Sequence, residues 1–238
     1  MIPSLYKPFR HWSKNGSVYI ISDTHFNDPD CKIMNPNWPS PEEQVKRIRE
    51  TVHKNDTLIH LGDVGDTKYI AQLNCYKVLI TGNHDKGADS YIKKEEMFDL
   101  DSCSEEEVAQ MLLDGTIDRT GYEYHSPFNR GFKSNNLFNE VYSGPLWIAE
   151  KIILSHEPLS ITLRGTDFAR PVVMNLHGHT HGVAFDEHPG FRNFCSDVID
   201  YEPISLGILI KNGLLKDITS AHRATIDMAS IVKEIIYE

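Results

Sequence analysis

The sequence predicts an α/β fold in which strands alternate with helices and deliver polar side chains to one rim of the sheet. Three observations predict it. Short apolar, β-branched runs alternate with helix-forming stretches over residues 17–81. Each run ends abruptly in Asp, Asn or His, and open α/β sheets place their sites there because several strand ends converge. The length of 238 residues, with 40% apolar and 24% charged residues, fits one large globular domain or one domain with an insertion.

The elements follow in order. Residues 17–21 (SVYII) form a short, continuous apolar strand ending at Ser22-Asp23. Residues 42–53 form an amphipathic helix with Val45, Ile48 and Val52 on one face, Ser40 as N-cap and Pro41 at the first helical position. Residues 57–61 (TLIHL) are the second strand, ending at Gly62-Asp63, and residues 68–74 a short helix. Residues 77–81 (KVLIT) are the third strand, ending at Gly82-Asn83-His84-Asp85.

The rhythm then breaks. Residues 86–136 read as an insertion or cap on a single domain spanning 1–238, because their apolar content is too low for an independent core. Within them, Ser104 and Glu107 match a capping box ahead of a short helix. Strands resume at 146–148, 151–154 (KIIL, ending at Ser155-His156) and 171–176 (PVVMNL, ending at His177-Gly178-His179-Thr180-His181). Residues 204–218 and 221–237 read as closing amphipathic helices, although Asn212-Gly213 inside the first favours a turn.

Composition excludes several classes. With 24 Lys+Arg against 34 Asp+Glu, the formal net charge is −10, which argues against nucleic-acid coating or a membrane-surface role, since both need a positive field. Apolar stretches such as 204–210 fall far short of the roughly 20 residues that span a bilayer. The N-terminus lacks the apolar core of a signal peptide. Cys31, Cys75, Cys103 and Cys195 are scattered with no CxxC pair, so free buried thiols and a cytoplasmic location are expected.

Chemistry concentrates at five strand ends: Asp23-Thr24-His25, Gly62-Asp63, Gly82-Asn83-His84-Asp85, Ser155-His156 and Gly178-His179-Thr180-His181. Neutral imidazole with carboxylate or amide oxygen suits borderline divalent ions such as Mn, Fe, Zn or Ni. The donors are too many for one ion, whereas one carboxylate between two cations bridges them into a phosphoryl clamp.

These five elements, SDTH, LGDVGD, TGNHD, SHEP and HGHTH, resemble the calcineurin-like metallophosphoesterases in order and spacing over residues 18 to about 201, excluding 86–136. The wording SDTHF, IHLGD and IILSHEP is similar to small bacterial and phage phosphoesterases, although this chain has Asn27-Asp28 where such relatives often have Gly-His. The resemblance implies a metallophosphoesterase-type β-sandwich flanked by helices, four layers α/β/β/α, with a dimetal site at the C-terminal rim of the strands. It further implies that Asp23, His25 and His181 hold one metal, Asn83, His156 and His179 the other, and Asp63 bridges them. His84 would be the proton donor to the leaving oxygen, Asp85 would orient His84, and Asp66 would play a similar supporting part.

The implied reaction is in-line hydrolysis of a phosphoester by a hydroxide shared between the metals, Mn²⁺ being the expected ion and Fe, Zn or Ni alternatives. His84 assists poor leaving groups, which favours a phosphodiesterase acting on a small nucleotide-type diester. A phosphomonoesterase, a DNA or RNA nuclease, and a non-catalytic scaffold of the same fold are the alternatives, the last disfavoured because every ligand position and His84 are intact. Asn83 and His84 are the expected substrate contacts. His125, Arg130, Lys133, Arg164 and Arg170 are candidates to reach a substrate phosphate, although solvated surface charge is the simpler reading of each.

The remaining histidines read as structural: His60 and His177 as packing beside the ligands, His11, His53, His188 and His222 as surface groups. Trp12, Trp38 and Trp147 read as core or cap packing.

Overall fold

The computed structural model describes residues 11–14, 16–85, 104–113, 131–133, 137–149, 151–159, 171–182 and 189–219, with 223, 224, 226 and 229. Two sheets stack face to face. The first, six-stranded, has the order β10-β1-β2-β3-β5-β4, with β1 Val18–Ile21, β2 Thr57–His60, β3 Tyr76–Ile80, β4 Gly131–Lys133, β5 Glu140–Tyr142 and β10 Ile204–Ser205. The second has the order β6-β7-β8-β9, with β6 Leu146–Ala149, β7 Ile152–Leu154, β8 Met174–His177 and β9 Phe191–Asn193.

Side-chain alternation explains the stacking. On the first sheet Val18, Ile20, Ile59, Leu61, Val78 and Ile80 face the second sheet, where Ile152, Leu154, Met174 and Leu176 complete one apolar core. The opposite face carries Ile21, Leu58, Leu79 and Val141. It is covered by Val45 and Ile48 of α2 (Pro41–Thr51) and Ile70 of α3 (Thr67–Ile70). Outward from the second sheet, Ile153 packs with Val172, Val173 and Ala224. Strands buried on both faces need the continuous apolar runs seen in the sequence.

β1, β2, β3 and β5 run parallel, as do β7, β8 and β9, so the C-terminal ends of each parallel set share a rim. That topology collects the polar strand ends. Ser40 caps α2 by accepting from the Glu43 N–H at 3.2 Å, as expected. The capping box also forms: the Ser104 N–H donates to Glu107 Oε2 at 2.7 Å, and the Glu107 N–H to Ser104 Oγ at 3.3 Å, opening α4 (Glu105–Leu113).

Four local expectations change. Residues 204–218 are not one helix. Ile204–Ser205 pairs antiparallel with β1, and α5 covers only Leu206–Lys211, capped by Ser205. It stops at Gly213, which takes φ 95°, while the Gly213 N–H donates to the Ile210 carbonyl and the Leu214 N–H to the Leu209 carbonyl. This is a Schellman ending, and the Asn-Gly signal prevailed over the apolar periodicity. Within residues 86–136, Gly131–Lys133 adds the edge strand β4, antiparallel to β5. β9 and the four-residue α1 (Cys31–Met34) carried no periodic signal because they are too short. The rest of 86–130, Arg130, Arg164, Arg170, His125 and the predicted helix 221–237 apart from four positions lie outside the described residues. Cys31, Cys75 and Cys195 are free thiols.

Candidate metal centre

Each functional side chain sits just past the end of a parallel strand, and the backbone there turns into the left-handed region. Asp23, His25, Asp63, His179 and His181 have φ of 53°, 41°, 57°, 68° and 47°. Non-glycine residues seldom adopt this region, and such strain collects where function over-determines the backbone. Hydrogen bonds hold the two innermost loops in step. The Asp23 N–H donates to the Gly62 carbonyl at 2.9 Å, and the His25 N–H to the Asp63 carbonyl at 3.0 Å. Close approach requires glycine: a Cβ on Gly82 would lie 2.2 Å from Asp63 Oδ1, and one on Gly178 would lie 2.2 Å from Asp23 Oδ2.

Six of the seven expected ligands come together in two groups, Asp23 with His25 and His181, and Asp63 with His156 and His179, the ligand atoms within each group lying within 4.8 Å of one another. Asn83 joins the second group, with Oδ1 2.8 Å from His156 Nε2 and 3.0 Å from His179 Nδ1. Asp63 Oδ2 reaches both groups, 3.6 Å from His25 Nε2 and 3.4 Å from His156 Nε2. His84 is exposed at the mouth, its ring edge-on to His25 at 5.4 Å, and its backbone N–H donates to Asp63 Oδ1 at 2.9 Å.

The donor set fits divalent cations. Asp23 Oδ1 and His25 Nε2 are buried, 3.8 Å apart, and have no hydrogen-bond partner. Such orphaned polar atoms are costly unless something absent from a protein-only hydrogen-bond network satisfies them. In the second group His156 Nδ1 donates to the Leu61 carbonyl at 2.9 Å, so in the neutral ring that a metal ligand must be, Nε2 is a lone-pair acceptor. It faces another acceptor, Asn83 Oδ1, and a cation reconciles the two.

Electrostatics point the same way. Burial would push the Asp23 carboxyl up, but the imidazoles of His25 and then His156 around it hold it well below the ordinary range. Burial would push His25 and His181 down, yet Asp23, with Asp63 and Asp28 around His25 and Asp197 beside His181, holds both above the usual histidine value. A field that favours protonated imidazole favours a metal ion at the same lone pairs. Asp63 is pushed up by burial, against the opposing pull of His156 and the His84 N–H.

Several participants carried no signal in the sequence. His25 Nδ1 bonds Asp28 Oδ2 at 3.2 Å, and His181 Nδ1 bonds Asp197 Oδ1 at 3.1 Å, so that Nε2 of each ring is presented to the first group. Asp28, noted in the sequence only as a departure from relatives, thus has a defined position. Cys195 Sγ donates to Asp23 Oδ2 and Ser196 Oγ to the Asp23 carbonyl. Burial, with Asp23 beside it, pushes the Cys195 thiol up, and the group stays a donor. Trp38 stands edge-on to His25 at 6.4 Å and to His181 at 5.9 Å, backed by Tyr201.

The structure gives Asp85 and Asp66 partners that the sequence did not indicate. Asp85 accepts backbone N–H bonds from Asp63 (2.9 Å) and Gly82 (2.8 Å) on Oδ2 and from Val64 (3.0 Å) on Oδ1, clamping the β2 and β3 loops together. Asp66 is no site residue: it caps α3 by accepting from the Lys68 N–H and pairs with Lys68 Nζ at 2.9 Å. His60 is fully buried. Its Nε2 bonds Thr24 Oγ1 at 2.9 Å, and burial pushes it down to about 4, so it is a neutral packing group. His177 is buried likewise, bonded to the Gly178 carbonyl. Beside Asn83 and His156 opens a pocket of about 210 Å³ lined also by Thr81, Ser155, Glu157 and Pro145.

The pattern of calcineurin-like phosphoesterases matches residues 16–183, more than half the chain. The chain belongs to the calcineurin-like phosphoesterases. As a calcineurin-like phosphoesterase it is a metal-dependent phosphoester hydrolase, and the family's two divalent ions fit the two donor groups described. The chain is similar to an uncharacterized protein, MJ1445, of Methanocaldococcus jannaschii, 25% identical over 214 residues that cover 82% of this chain and 89% of that one. A crystal structure of a protein of unknown function from Aquifex aeolicus, AQ665, shares the fold with a TM-score of 0.50 at 23% identity, covering 82% of this chain and 98% of that one. Among the described residues no helix is long and apolar enough to cross a membrane.

Proposed function

We propose that the protein is a phosphodiesterase acting on a small, nucleotide-type diester, with Mn²⁺ as the working ion. Asp23, His25 and His181 would hold one ion and Asn83, His156 and His179 the other, with Asp63 shared. The ions, when bound, supply the charge that neutralises phosphate oxygens and acidifies an attacking water.

The chain's own groups do the rest. Asn83 offers an amide to a phosphate oxygen. The exposed His84 ring sits at the mouth, fixed at its backbone by the N–H bond to Asp63 Oδ1. From there it gives a proton to the departing alkoxide, a contribution typically worth ~10²–10⁴-fold and greatest for the poor leaving groups of diesters.

The observation that carries the reading is Asp63 Oδ2 between His25 Nε2 and His156 Nε2, with His84 beside it on the same loop system. The modest pocket next to Asn83 supports a small substrate. The net charge of −10 disfavours long nucleic acid.

The test is hydrolysis of bis-p-nitrophenyl phosphate and p-nitrophenyl phosphate with added Mn²⁺. The diester should turn over faster. Turnover of the monoester alone would make the protein a monoesterase, and no turnover of either, with no metal in the purified protein, would overturn the enzymatic reading.

A further inference from the structure

We propose that residues 193–197, which begin at the last residue of β9 and lie beyond the last residue of the family match, are a sixth ligand-positioning element dedicated to the first donor group. The inference rests on the two-metal reading above. Five strand ends supply the seven expected ligands, whereas this one supplies none of those seven. Every polar side chain in it contacts Asp23 or the His181 side chain or backbone.

The contacts are specific. Asn193 Nδ2 donates to the His181 carbonyl at 2.8 Å and to Thr180 Oγ1 at 3.0 Å, while its Oδ1 accepts from the Cys195 N–H at 2.9 Å. The last bond folds the segment back against the β8 loop. Cys195 Sγ accepts from the His181 N–H and donates to Asp23 Oδ2, both at 3.2 Å. Ser196 Oγ donates to the Asp23 carbonyl at 2.7 Å, and Asp197 Oδ1 meets His181 Nδ1 at 3.1 Å.

Their joint consequence concerns which atoms remain for an ion. Asp23 Oδ2 is occupied by the Cys195 thiol and the His179 N–H at 2.9 Å, so Oδ1, buried and unpartnered, is the oxygen left over. Asp197 engages Nδ1 of His181, so Nε2, 3.7 Å from that same Oδ1, is the nitrogen left over. Two ligands 158 residues apart in sequence are thereby oriented toward each other by one five-residue segment. None of the segment's seven bonds reaches the Asn83, His156 or His179 side chains. Partners behind metal ligands fix ring orientation and basicity, and their loss typically costs 10–100-fold in metal affinity.

The test is calorimetric titration of the chelator-treated protein with Mn²⁺, alongside its metal-free melting curve. Wild type should take up two ions per chain. Asp197→Asn and Cys195→Ala should each weaken one binding step by about 10–100-fold, the step that His181→Ala abolishes, and leave the other within about twofold. Cys195→Ser, which keeps a donor, should retain most of the step that Cys195→Ala weakens. Equal weakening of both steps in proportion to a lowered melting temperature would make the segment merely structural, and unchanged binding would overturn the inference outright. If wild type itself takes up no Mn²⁺, the two-metal reading fails first, and the inference with it.

Discussion

Replacing Asp85 by Asn separates a clamp on two loops from a partner of His84. The carboxylate takes three backbone N–H bonds on two oxygens, from Asp63, Gly82 and Val64. An Asn side chain has one oxygen. Placed where Oδ2 lies, it keeps Asp63 and Gly82 but turns an NH₂ toward the fully buried Val64, whose N–H loses its acceptor. An unmet buried donor costs about 1–3 kcal/mol, and the two surviving bonds lose their charge assistance, about 1 kcal/mol each. Partial exposure of the site trims the sum to about 2–4 kcal/mol, which for a chain of this size lowers Tm by on the order of 5–15 °C. Because the clamp fixes the backbone of Asp63, Mn²⁺ affinity should fall as well, by about 10–100-fold. Scanning fluorimetry of the chelator-treated protein and Mn²⁺ calorimetry give both numbers. A melting temperature within about 1 °C of wild type, with unchanged metal affinity and a lowered kcat, would refute the clamp and leave Asp85 as a partner of His84 alone.

His84→Ala should lower diester turnover by ~10²–10⁴-fold while metal content stays at the wild-type level by elemental analysis, because its ring only flanks His25 and its bond to Asp63 comes from the backbone N–H, which the substitution keeps. Gly178→Ala would place a Cβ 2.0 Å from Ser22 Oγ, so the β1 and β8 loops must part, and the protein should purify with less than one ion per chain. Chelation should abolish hydrolysis and lower Tm, both restored by added Mn²⁺, since an ion that binds only the folded state stabilises it by about 2.7 kcal/mol at a hundredfold excess over Kd. Ser104→Ala should raise amide hydrogen exchange in the first turn of α4 only, a local loss of about 0.5–2 kcal/mol with no change in hydrolysis.

The ligand-bearing strand ends were legible because each couples a short apolar run to a fixed polar word, and both signals are local. The same locality explains the errors. Ile204–Ser205 forms a strand only because β1 offers it an edge, while its own neighbourhood continues an apolar helical pattern up to Gly213. β9 is three residues long and exists through its pairing with β8. Asp85 followed His84 in sequence and so suggested a role at the imidazole, but its bonds to Asp63 and Val64, in a loop some twenty residues earlier, carried no local signal. Cys195 and Asp197 carried no word at all, since their partners, Asp23 and His181, lie 172 and 16 residues away. Local chemistry announces the atoms that bind, and long-range packing decides which groups hold them still.

The central claim is a pair of cations sharing Asp63. Anomalous diffraction from Mn²⁺-loaded crystals tests it most directly. The account predicts two peaks about 3.5–4 Å apart, one against Asp23, His25 and His181, the other against Asn83, His156 and His179, with the Asp63 carboxylate touching both. A single peak, or two peaks of which Asp63 contacts only one, would contradict it.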